Sequence, residues 1–296
     1  MTRSPAAADV TVVVPTLGRS RFFAEALASA LGETPAAVVV VEDGGERLDE
    51  KALSGARVVR QKHAGRSVAR NCGVEAAQTS FVAFLDDDDV VLPGRLERQS
   101  EALQAAPDAP LTFGRVEVVD GEGVPLSDWN QLLEGRFAAA GERIGAAELL
   151  SRRVPVYTSA TLVRRDAFLA VGGYDPGLDA HEDLDLYVRL ARLGPLVASP
   201  GGPVAAYRLH GQNTPSDHLY EGLLALTRKH LPGARGPFKR ALLAREVDAL
   251  WGLGRYGHAR REALRAALAE PLLLANPHFV RRLTGALLPA RLLEGR

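Results

Sequence analysis

Residues 81–92, with the sequence FVAFLDDDDVVL, decide the fold class of this chain. Phe81–Leu85 is a short apolar run, typical of a strand buried on both faces, and four carboxylates, Asp86–Asp89, follow it directly. In open α/β sheets the carboxyl ends of the strands form the ligand crevice. The stretch therefore predicts a strand of a parallel sheet with a binding site at its end.

Three predicted strands precede this one, and helical segments connect them. The strands are Val10–Val14, Ala36–Val41 and Ala56–Arg60. A helix with its apolar face over Phe22–Leu31 and Ser20 as its cap joins the first two, and a helix over Ser67–Ala77 follows the third. Strand–helix–strand units of this kind imply parallel strands with a right-handed crossover. We therefore predict an α/β fold.

The sequence after the acidic run predicts shorter elements and then a helical region. The predicted elements are, in order, a helix Pro93–Ala106 with Pro93 in its first turn, a β-rich stretch Leu111–Val119, an irregular segment Trp129–Ala140, a strand Ser159–Val163, a helix Glu182–Leu193 and a strand Val204–Tyr207. After Asp217 the pattern is helical almost throughout, and prolines divide it into short helices. We expect one domain over residues 1–216 and a helical C-terminal region over residues 217–296.

The net charge is zero for the whole chain but differs in sign between these two regions. The 36 Lys and Arg equal the 36 Asp and Glu, so no overall field favours nucleic acid, and we expect no nucleic-acid partner. Residues 1–216 hold 22 basic and 29 acidic side chains, and residues 217–296 hold 14 and 7, which leaves excesses of −7 and +7. Much of the acidic excess lies in Asp86–Asp89 and Glu182–Asp185, where a metal ion would offset it.

The composition is that of a globular protein, and the sequence predicts a cytoplasmic one. It is 46% hydrophobic and 24% charged. No apolar run approaches the roughly 20 residues needed to span a bilayer, and Met1–Asp9 lacks the basic and apolar regions of a signal peptide. The single cysteine, Cys72, excludes an internal disulfide and a cysteine-rich zinc site.

The four adjacent carboxylates are the sharpest chemical signal in the sequence. Asp86–Asp89 repel one another unless a cation or hydrogen-bond donors neutralise them, and a divalent metal with oxygen ligands is the natural partner. A solvated acidic loop is the alternative, which the apolar residues on both sides of the run disfavour. We expect a metal or nucleotide role.

Two further pairs of residues allow a functional or a purely structural interpretation. Glu42 and Asp43 follow a predicted buried strand, so their carboxylates either accept hydrogen bonds from a base or ribose or simply form a turn. Arg66 and Arg70 are one turn apart at the start of a predicted helix, which suits a diphosphate but also an ordinary surface helix.

The same two interpretations apply to the candidates near the end of the first domain. Glu182 and Asp183 begin a predicted helix, where a carboxylate favours the helix dipole. In a crevice that also holds a metal, a general base is the better assignment. His210 is either a ligand or a loop histidine. Neither a Gly-x-x-x-x-Gly-Lys-Ser/Thr loop nor a Gly-x-Gly-x-x-Gly motif is present.

Taken in order, the motifs of the first domain resemble those of the inverting family 2 glycosyltransferases, which adopt the GT-A fold. The motifs are Val-Val-Val-Pro-Thr (12–16), Val-Glu-Asp-Gly-Gly (41–45), Ala-Arg-Asn-Cys-Gly (69–73), Phe-Leu-Asp-Asp-Asp-Asp (84–89), Val-Arg-Arg-x-x-Phe-x-x-x-Gly-Gly-Tyr-Asp (163–175), His-Glu-Asp-Leu-Asp-Leu (181–186) and Tyr-Arg-Leu-His-x-x-Asn-x-Pro (207–215). The resemblance runs from about Asp9 to Ser216. It implies a Rossmann-like mixed sheet flanked by helices, followed by a C-terminal helical appendage.

The resemblance also implies a role for each candidate residue. Those implied for the base and ribose pocket are Pro15, Thr16, Glu42 and Asp43, with Arg66 or Arg70 near the base or diphosphate and Asp86 or Asp87 on the ribose side. Asp88 and His210 are the residues implied near a Mg²⁺ or Mn²⁺ ion. Asp88 and Asp86 match the Asp-x-Asp motif, and the resemblance implies that Asp88 contacts the metal directly. Asp183 matches the catalytic base, and Glu182 precedes it as the second catalytic candidate.

The implied function is metal-dependent, inverting transfer of a sugar from a nucleotide diphosphate sugar, a UDP-sugar first, to an acceptor hydroxyl. A sugar or a lipid-linked sugar would be the acceptor, in the synthesis of a surface polysaccharide or glycoconjugate. A sugar nucleotidyltransferase is one alternative, although Pro15-Thr16-Leu17-Gly18 is not the Gly-rich basic loop that such an enzyme normally carries. A catalytically inactive binding or scaffold partner with the same fold is the other.

The basic excess lies on short C-terminal helices, His258–Leu268 and Pro277–Leu288, in which arginines alternate with apolar residues. One interpretation is a peripheral contact with the inner face of an anionic membrane, beside a lipid-linked acceptor. The other is a solvated face of a helical cap that packs on the catalytic domain or on a homodimer partner. Both interpretations stay open at this point.

Overall fold

An eight-stranded mixed sheet organises the larger part of the protein. The computed structural model describes residues 7–45, 47–49, 51, 53, 55–151, 155–211 and 216–287. Asn213 and Pro215 of the last motif, and Leu288 of the last predicted helix, lie outside these residues. The strands are β1 Val10–Thr16, β2 Ala37–Asp43, β3 Arg57–Gln61, β4 Phe81–Phe84, β5 Val90–Val91, β6 Leu111–Phe113, β7 Val116–Val119, β8 Arg143–Ile144, β9 Thr161–Arg164, β10 Leu196–Ala198 and β11 Ala205–Arg208.

Helices flank the sheet and make up most of the C-terminal part. They are α1 Phe23–Gly32, α2 Arg66–Ala76, α3 Arg95–Ala105, α4 Ser127–Ala140, α5 Ala146–Leu150, α6 Arg165–Ala170, α7 Glu182–Leu190, α8 Ser216–His230, α9 Gly236–Gly252, α10 Tyr256–Ala269 and α11 Pro277–Leu287. Three short 3₁₀ helices add Ala7–Asp9, Thr158–Ala160 and Pro271–Ala275. The predicted α/β class is confirmed.

The large sheet has the order β3-β2-β1-β4-β9-β6-β10-β8. The first four of these strands are parallel, as the strand–helix–strand pattern predicts, while β9 runs antiparallel to both of its neighbours. A small second sheet has the order β5-β11-β7. Because β5 directly follows the acidic run Asp86–Asp89, that run joins the end of a central strand to the second sheet.

Register aligns the ends of the central strands. Thr16 of β1 pairs with Glu42 of β2, and Val13 of β1 pairs with Phe84 of β4. Polar residues that follow these positions therefore meet at one edge of the sheet. Helix α2 packs close to this edge because it carries Gly73, at which an added Cβ would lie 2.3 Å from Cγ1 of Val13.

The structure corrects four local predictions, all of them in the first half of the chain. Ser20 is not a helix cap, since α1 begins at Phe23 with no side-chain cap bond. Phe22 therefore precedes the helix and is only partly buried. Pro93 lies outside α3, which begins after Gly94, because Gly94 has the left-handed φ of 76°.

The fourth correction concerns Trp129–Ala140, which is helical as part of α4. Its sequence predicts an irregular segment because it has no apolar stripe. Among its described side chains, Leu133 is the one that is buried. Asn130 anchors it instead, since its amide donates to the Val118 carbonyl at 3.1 Å and accepts from the Val118 N–H at 2.7 Å.

The chain divides into two compact units. The first comprises Met1–Gly145, Arg153–Pro176 and Glu182–Asn213, and the second comprises Ala146–Arg152, Gly177–His181 and Thr214–Arg296. The assignment of residues 1–216 as a catalytic domain and 217–296 as a separate region stays a prediction. Within the part of the chain that the structure describes, no helix is both long and apolar enough to cross a bilayer.

Candidate functional site

A cavity of about 730 Å³ lies where β1, β2 and β4 end. The predicted site residues that line it are Pro15, Thr16, Asp43, Arg66, Arg70, Asp86, Asp87, Asp88 and His210. Among the described residues, three other predicted ones, Glu42, Glu182 and Asp183, are not part of its lining. The cavity thus brings together residues from five separate motifs. Four of these motifs belong to the parallel part of the large sheet and its helix α2, as expected for the carboxyl ends of neighbouring strands, and His210 follows β11 of the small sheet.

The loop after β1 is tied to the acidic run. The Thr16 hydroxyl donates to Oδ2 of Asp87 at 2.5 Å, and the Ser20 hydroxyl donates to the Asp87 carbonyl at 2.8 Å. Burial raises the pKa of Asp87 to about 6, with the charges of Asp88 and Asp86 adding to the rise and the Thr16 hydrogen bond opposing it. These bonds hold the Pro15–Ser20 loop against the cavity wall.

Asp43 is buried, and its carboxylate organises the loop before α2. Oδ1 accepts from the Gln61 amide and from the Ala64 N–H, each at 2.8 Å. Oδ2 accepts from the Gly65 N–H at 2.9 Å and lies 3.0 Å from Nδ1 of His63. Asp43 therefore shapes the cavity through the loop that positions Arg66.

Glu42 lies beside Asp43 but has a different set of partners. Its carboxylate accepts from Nε of Arg60 at 2.6 Å and from the Leu48 N–H at 2.9 Å. The residue is buried, and its partners belong to β3 and to the segment after β2. Its predicted contact with a base or ribose stays a prediction.

Arg70 joins α2 to two carboxylates from distant parts of the chain. Its guanidinium donates to Oε1 of Glu182 at 2.9 Å and to Oδ1 of Asp86 at 2.6 Å. Nε of Arg66 lies 2.9 Å from the same Glu182 oxygen. Arg70 is 3% exposed and Glu182 is 4% exposed, so two arginines and not a metal ion compensate the Glu182 charge. Asp185 is likewise paired with Arg189.

Asp183 differs from Glu182 in its surroundings. Its Oδ1 accepts from the Leu184 N–H at 2.6 Å, and the residue is only partly buried. Burial raises the pKa of Asp183 to about 7, with the adjacent Glu182 charge as the next cause, while Arg70 and Arg66 oppose the rise. A carboxylate with a pKa near neutrality is suited to accept and release a proton.

Asp88 and His210 meet across the cavity. Oδ2 of Asp88 lies 2.9 Å from Nε2 of His210. Burial and the charge of Asp86 raise the pKa of Asp88, and the hydrogen bond and charge of His210 lower it. The next residue, Asp89, is 1% exposed and accepts from the Arg208 N–H at 2.9 Å, so it anchors the run to β11.

The end of β4 suits a divalent cation. Asp86 and Asp88 line the same cavity, and carboxylate oxygens are the ligands that Mg²⁺ and Mn²⁺ prefer. Within the described residues, no group of three or more His, Cys, Asp or Glu side chains is arranged to hold a metal ion. Mg²⁺ usually binds through one or two carboxylates together with water and substrate phosphates. The two carboxylates therefore fit an ion that is completed by its ligand.

Arg208 is the most connected residue that the sequence analysis missed. It is 3% exposed, its Nε donates to the Asp88 carbonyl at 3.0 Å, and one Nη donates to Glu25 at 2.8 Å. Its guanidinium carbon lies 4.3 Å from the ring centre of Phe22, and that ring lies 5.6 Å from the ring of His210. Arg208 thus contacts two residues that line the cavity, Asp88 and Phe22. In the sequence it stands within the Tyr-Arg-Leu-His motif, two residues before His210.

Arg19, Arg21, Phe22 and His63 also line the cavity without having been singled out. Arg19, Arg21 and Phe22 lie in the segment between β1 and α1, and His63 follows β3. Each stands shortly after the end of a parallel strand, which is the same signal that pointed to Glu42, Asp43 and Asp86–Asp89. Arg19 and Arg21, together with Arg66 and Arg70, make the cavity rich in cationic groups as well as carboxylates.

The family model for glycosyl transferase family 2 matches residues 11–170, which is more than half of the 296-residue chain. The chain belongs to glycosyl transferase family 2. The resemblance that the motifs indicate is thereby confirmed, and an inverting reaction is consistent with this family.

Curated relatives of this family 2 chain include two bacterial proteins. A pre-mycofactocin glycosyltransferase of Mycobacterium tuberculosis is 32% identical over 198 residues, which cover 64% of this chain and 40% of that protein. The succinoglycan biosynthesis protein ExoU of Rhizobium meliloti is 30% identical over 203 residues, covering 61% and 56%. The match thus spans less than two thirds of the length of each of these two relatives.

Solved structures of TarS from S. aureus share the fold. TarS 1–349 superposes with a TM-score of 0.63 at 16% identity, covering 93% of this chain and 80% of that one. Its complex with UDP-GlcNAc gives a TM-score of 0.60 at 16% identity, covering 94% and 80%. The family match and these neighbours confirm the predicted GT-A-like architecture with C-terminal helices.

Proposed function

We propose that the protein is an inverting glycosyltransferase that transfers a sugar from a nucleotide diphosphate sugar to an acceptor hydroxyl. The observation that carries the proposal is the cavity at the ends of β1, β2 and β4, where carboxylates and arginines from separate motifs meet. A nucleotide diphosphate offers hydroxyls that bind carboxylates and phosphates that bind cations. One cavity with both kinds of group suits such a donor.

The donor would lie with its ribose and base toward the loop after β1 and toward Asp43, as the family resemblance implies. Arg66 and Arg70 would lie beside its phosphates. The α2 N-terminus adds the partial positive charge of its free N–H groups to these two cations. A UDP-sugar is our first choice, supported by the TarS neighbour, whose structure was solved with UDP-GlcNAc.

A Mg²⁺ or Mn²⁺ ion would be held by Asp88 with Asp86, and His210 would orient Asp88 through the 2.9 Å contact. When bound, the ion neutralises negative charge on the leaving nucleotide diphosphate. Arg70 would orient Asp86 for the ion, because its hydrogen bond to Asp86 holds one carboxylate oxygen and leaves the other available to a ligand. Thr16 and Ser20 hold Asp87 in place.

Asp183 is our candidate for the catalytic base. It would take the proton from the acceptor hydroxyl as that oxygen attacks the anomeric carbon, and a single displacement of this kind inverts the configuration. Its pKa of about 7 is close to the value that serves a general base at neutral pH. Glu182, which is bound to two arginines, would position Arg66 and Arg70 and would not carry the proton.

The acceptor in this proposal is a sugar or a lipid-linked sugar, and the product belongs to a surface polysaccharide or glycoconjugate. The support is the kinship with a succinoglycan biosynthesis protein, which acts in polysaccharide synthesis by its name. In the same proposal, residues 1–216 form the catalytic domain. A cytoplasmic location and a homodimer stay predictions.

The test is a melting-temperature screen of UDP-, dTDP- and GDP-sugars with and without Mn²⁺. A ligand that binds only the folded protein raises the melting temperature, and the true donor should do so more strongly with the ion present. Release of free nucleoside diphosphate from the same mixtures would separate an enzyme from an inactive scaffold. Release of pyrophosphate from a nucleoside triphosphate and a sugar phosphate would instead indicate a nucleotidyltransferase.

Asp88→Ala extends this test to the metal. We expect the variant to lose the Mn²⁺-dependent part of its donor affinity, because it removes the carboxylate that would contact the ion. Calorimetry with the donor found in the screen measures this loss. Asp128→Ala removes an exposed carboxylate in the first turn of α4 and serves as the control. Equal Mn²⁺-dependent affinity in the two variants would contradict the metal role.

A further inference from the structure

Four leucines near the C-terminal end of the described chain are exposed. They are Leu264 at 41%, Leu268 at 84%, Leu272 at 66% and Leu274 at 51% of full exposure. Single exposed leucines are ordinary, but four of them within residues 264–274 make this segment a candidate interaction surface. We call these four residues the leucine patch.

The backbone explains why these side chains are left outside. Leu264 and Leu268 are one turn apart on α10, whose opposite face buries Ala259, Ala263 and Ala266. The 3₁₀ helix that follows buries Leu273 alone and exposes its neighbours Leu272 and Leu274. The patch is therefore a consequence of how the second unit packs its own core, and its leucines contribute little to that core.

Basic side chains border the patch. Arg260, Arg261 and Arg265 are all exposed on α10, within one turn or two of Leu264 and Leu268. The side chain of Arg265 is 72% exposed although it pairs with Glu262. Glu270, the other acidic residue of the stretch, is paired with Lys239 and Arg240. We call the three arginines the arginine rim.

Apolar side chains bordered by arginines fit the boundary of an anionic bilayer. Leucines insert between the headgroups and acyl chains, while long arginine side chains reach back to lipid phosphates. A second copy of the chain fits less well. A symmetric dimer uses the same surface on both subunits, so it would bring the arginine rim of one copy close to the same arginines of the other.

We propose that the leucine patch and the arginine rim form a docking surface for anionic lipid. This surface is separate from the cavity described above, and the proposal does not depend on the identity of the donor or on catalysis. It selects one of the two interpretations that the basic C-terminal sequence left open.

Flotation of the full chain with vesicles tests the proposal. Vesicles of phosphatidylcholine alone are compared with vesicles that contain phosphatidylglycerol in addition. We expect binding to the anionic vesicles that is strong at low salt and weaker at high salt, and little binding to the neutral ones. Absence of binding to anionic vesicles at low salt would overturn the proposal.

Two variants separate the apolar and the charged contribution. The double variant Leu268→Glu, Leu272→Glu should lower binding to anionic vesicles by roughly 100-fold, since it removes two inserting side chains and adds two negative charges. Replacing the three rim arginines by Gln should lower it by about 100-fold on anionic vesicles only, at about fivefold for each charge.

A matched control carries the same chemical change elsewhere. Leu169 and Leu193 are 44% and 58% exposed in the first unit, so Leu169→Glu with Leu193→Glu should bind vesicles like the unaltered protein. All variants change exposed residues, and equal melting temperatures will show that folding is unaffected. Equal loss in the patch variant and the control would contradict the proposal. So would a dimer in solution that the patch variant abolishes while vesicle binding persists.

Discussion

Glu182→Gln distinguishes the two acidic residues that the sequence presents as catalytic candidates. The substitution keeps the shape of the side chain and removes its charge. Glu182 adds to the raised pKa of Asp183, whereas Arg70 and Arg66 lower that pKa. With Glu182 neutral, the repulsion disappears and the two arginines lose a compensating charge, so both effects shift the pKa of Asp183 downward.

The size of the shift follows from Coulomb's law. At an effective dielectric constant of about 20, two unit charges roughly 7 Å apart repel each other by about 2 kcal/mol, which corresponds to roughly 1.5 pH units. Asp183 is only partly buried, so solvent screening reduces this value, and we expect a shift of about one unit.

The assay is the pH dependence of kcat/KM with the donor found by the ligand screen. If Asp183 is the base, activity of the unaltered enzyme rises with pH through about 7, and the Glu182→Gln variant reaches half its maximum about one pH unit lower. Glu246→Gln is the control, because Glu246 is a buried glutamate of the second unit that pairs with Arg228.

Two results would refute this reasoning. If kcat/KM of Glu182→Gln rises at the same pH as kcat/KM of the unaltered enzyme, then the charge of Glu182 does not act on the base. If Glu182→Gln instead abolishes turnover at every pH while Asp183→Asn does not, then Glu182 is the base and its two arginine partners must release it during the reaction.

Two other substitutions have expected outcomes. Asp183→Asn should keep donor binding and lower kcat by roughly 10²–10⁴-fold, and a kcat within threefold of the unaltered enzyme would exclude the role. Because the folded state raises the pKa of Asp183 from 3.8 to about 7, ionisation of this group costs stability as the pH rises through that range. The same variant should therefore melt several degrees higher than the unaltered protein at pH 8 and no higher at pH 3.5. Arg208→Met should cost about 2–3 kcal/mol of unfolding free energy, measured by urea titration, since it leaves the Asp88 carbonyl with one donor fewer. The lost pair with Glu25 adds little, because the Glu25 side chain is 59% exposed. Arg208→Lys should recover part of the lost unfolding free energy. If Arg208→Met is as stable as the unaltered protein, then the buried guanidinium does not contribute to the stability of the fold.

The predictions that succeeded rest on local physics. Continuous apolar runs such as Phe81–Leu85 can only be buried strands or short buried helix segments, and the polar residues after them fix where the strands end. Parallel strands place those ends at one edge, so the carboxylates after β4 and the residues after β1 and β2 could be assigned to one site without knowledge of any side-chain contact.

The predictions that failed depend on contacts between distant residues. Arg70 meets Glu182 across 112 positions of sequence, and Arg208 meets Asp89 across 119. Neither contact leaves a local pattern in the sequence, which is why Glu182 could be mistaken for a carboxylate compensated by a metal ion. Helix α4 was missed for a different reason. It buries so few apolar side chains that its sequence shows no helical period of apolar residues.

The length of the acidic run has a structural role in addition to the role of its charge. It begins at the end of β4, in the large sheet, and it ends at β5, where Val90 pairs with Ala206 in the small sheet. A residue inserted or removed between the two strands would shift the pairing of β5 with β11 or distort the turn that Asp86–Asp89 forms. These four residues thus carry two constraints, because their identity sets the carboxylates of the cavity and their number sets the step from one sheet to the other.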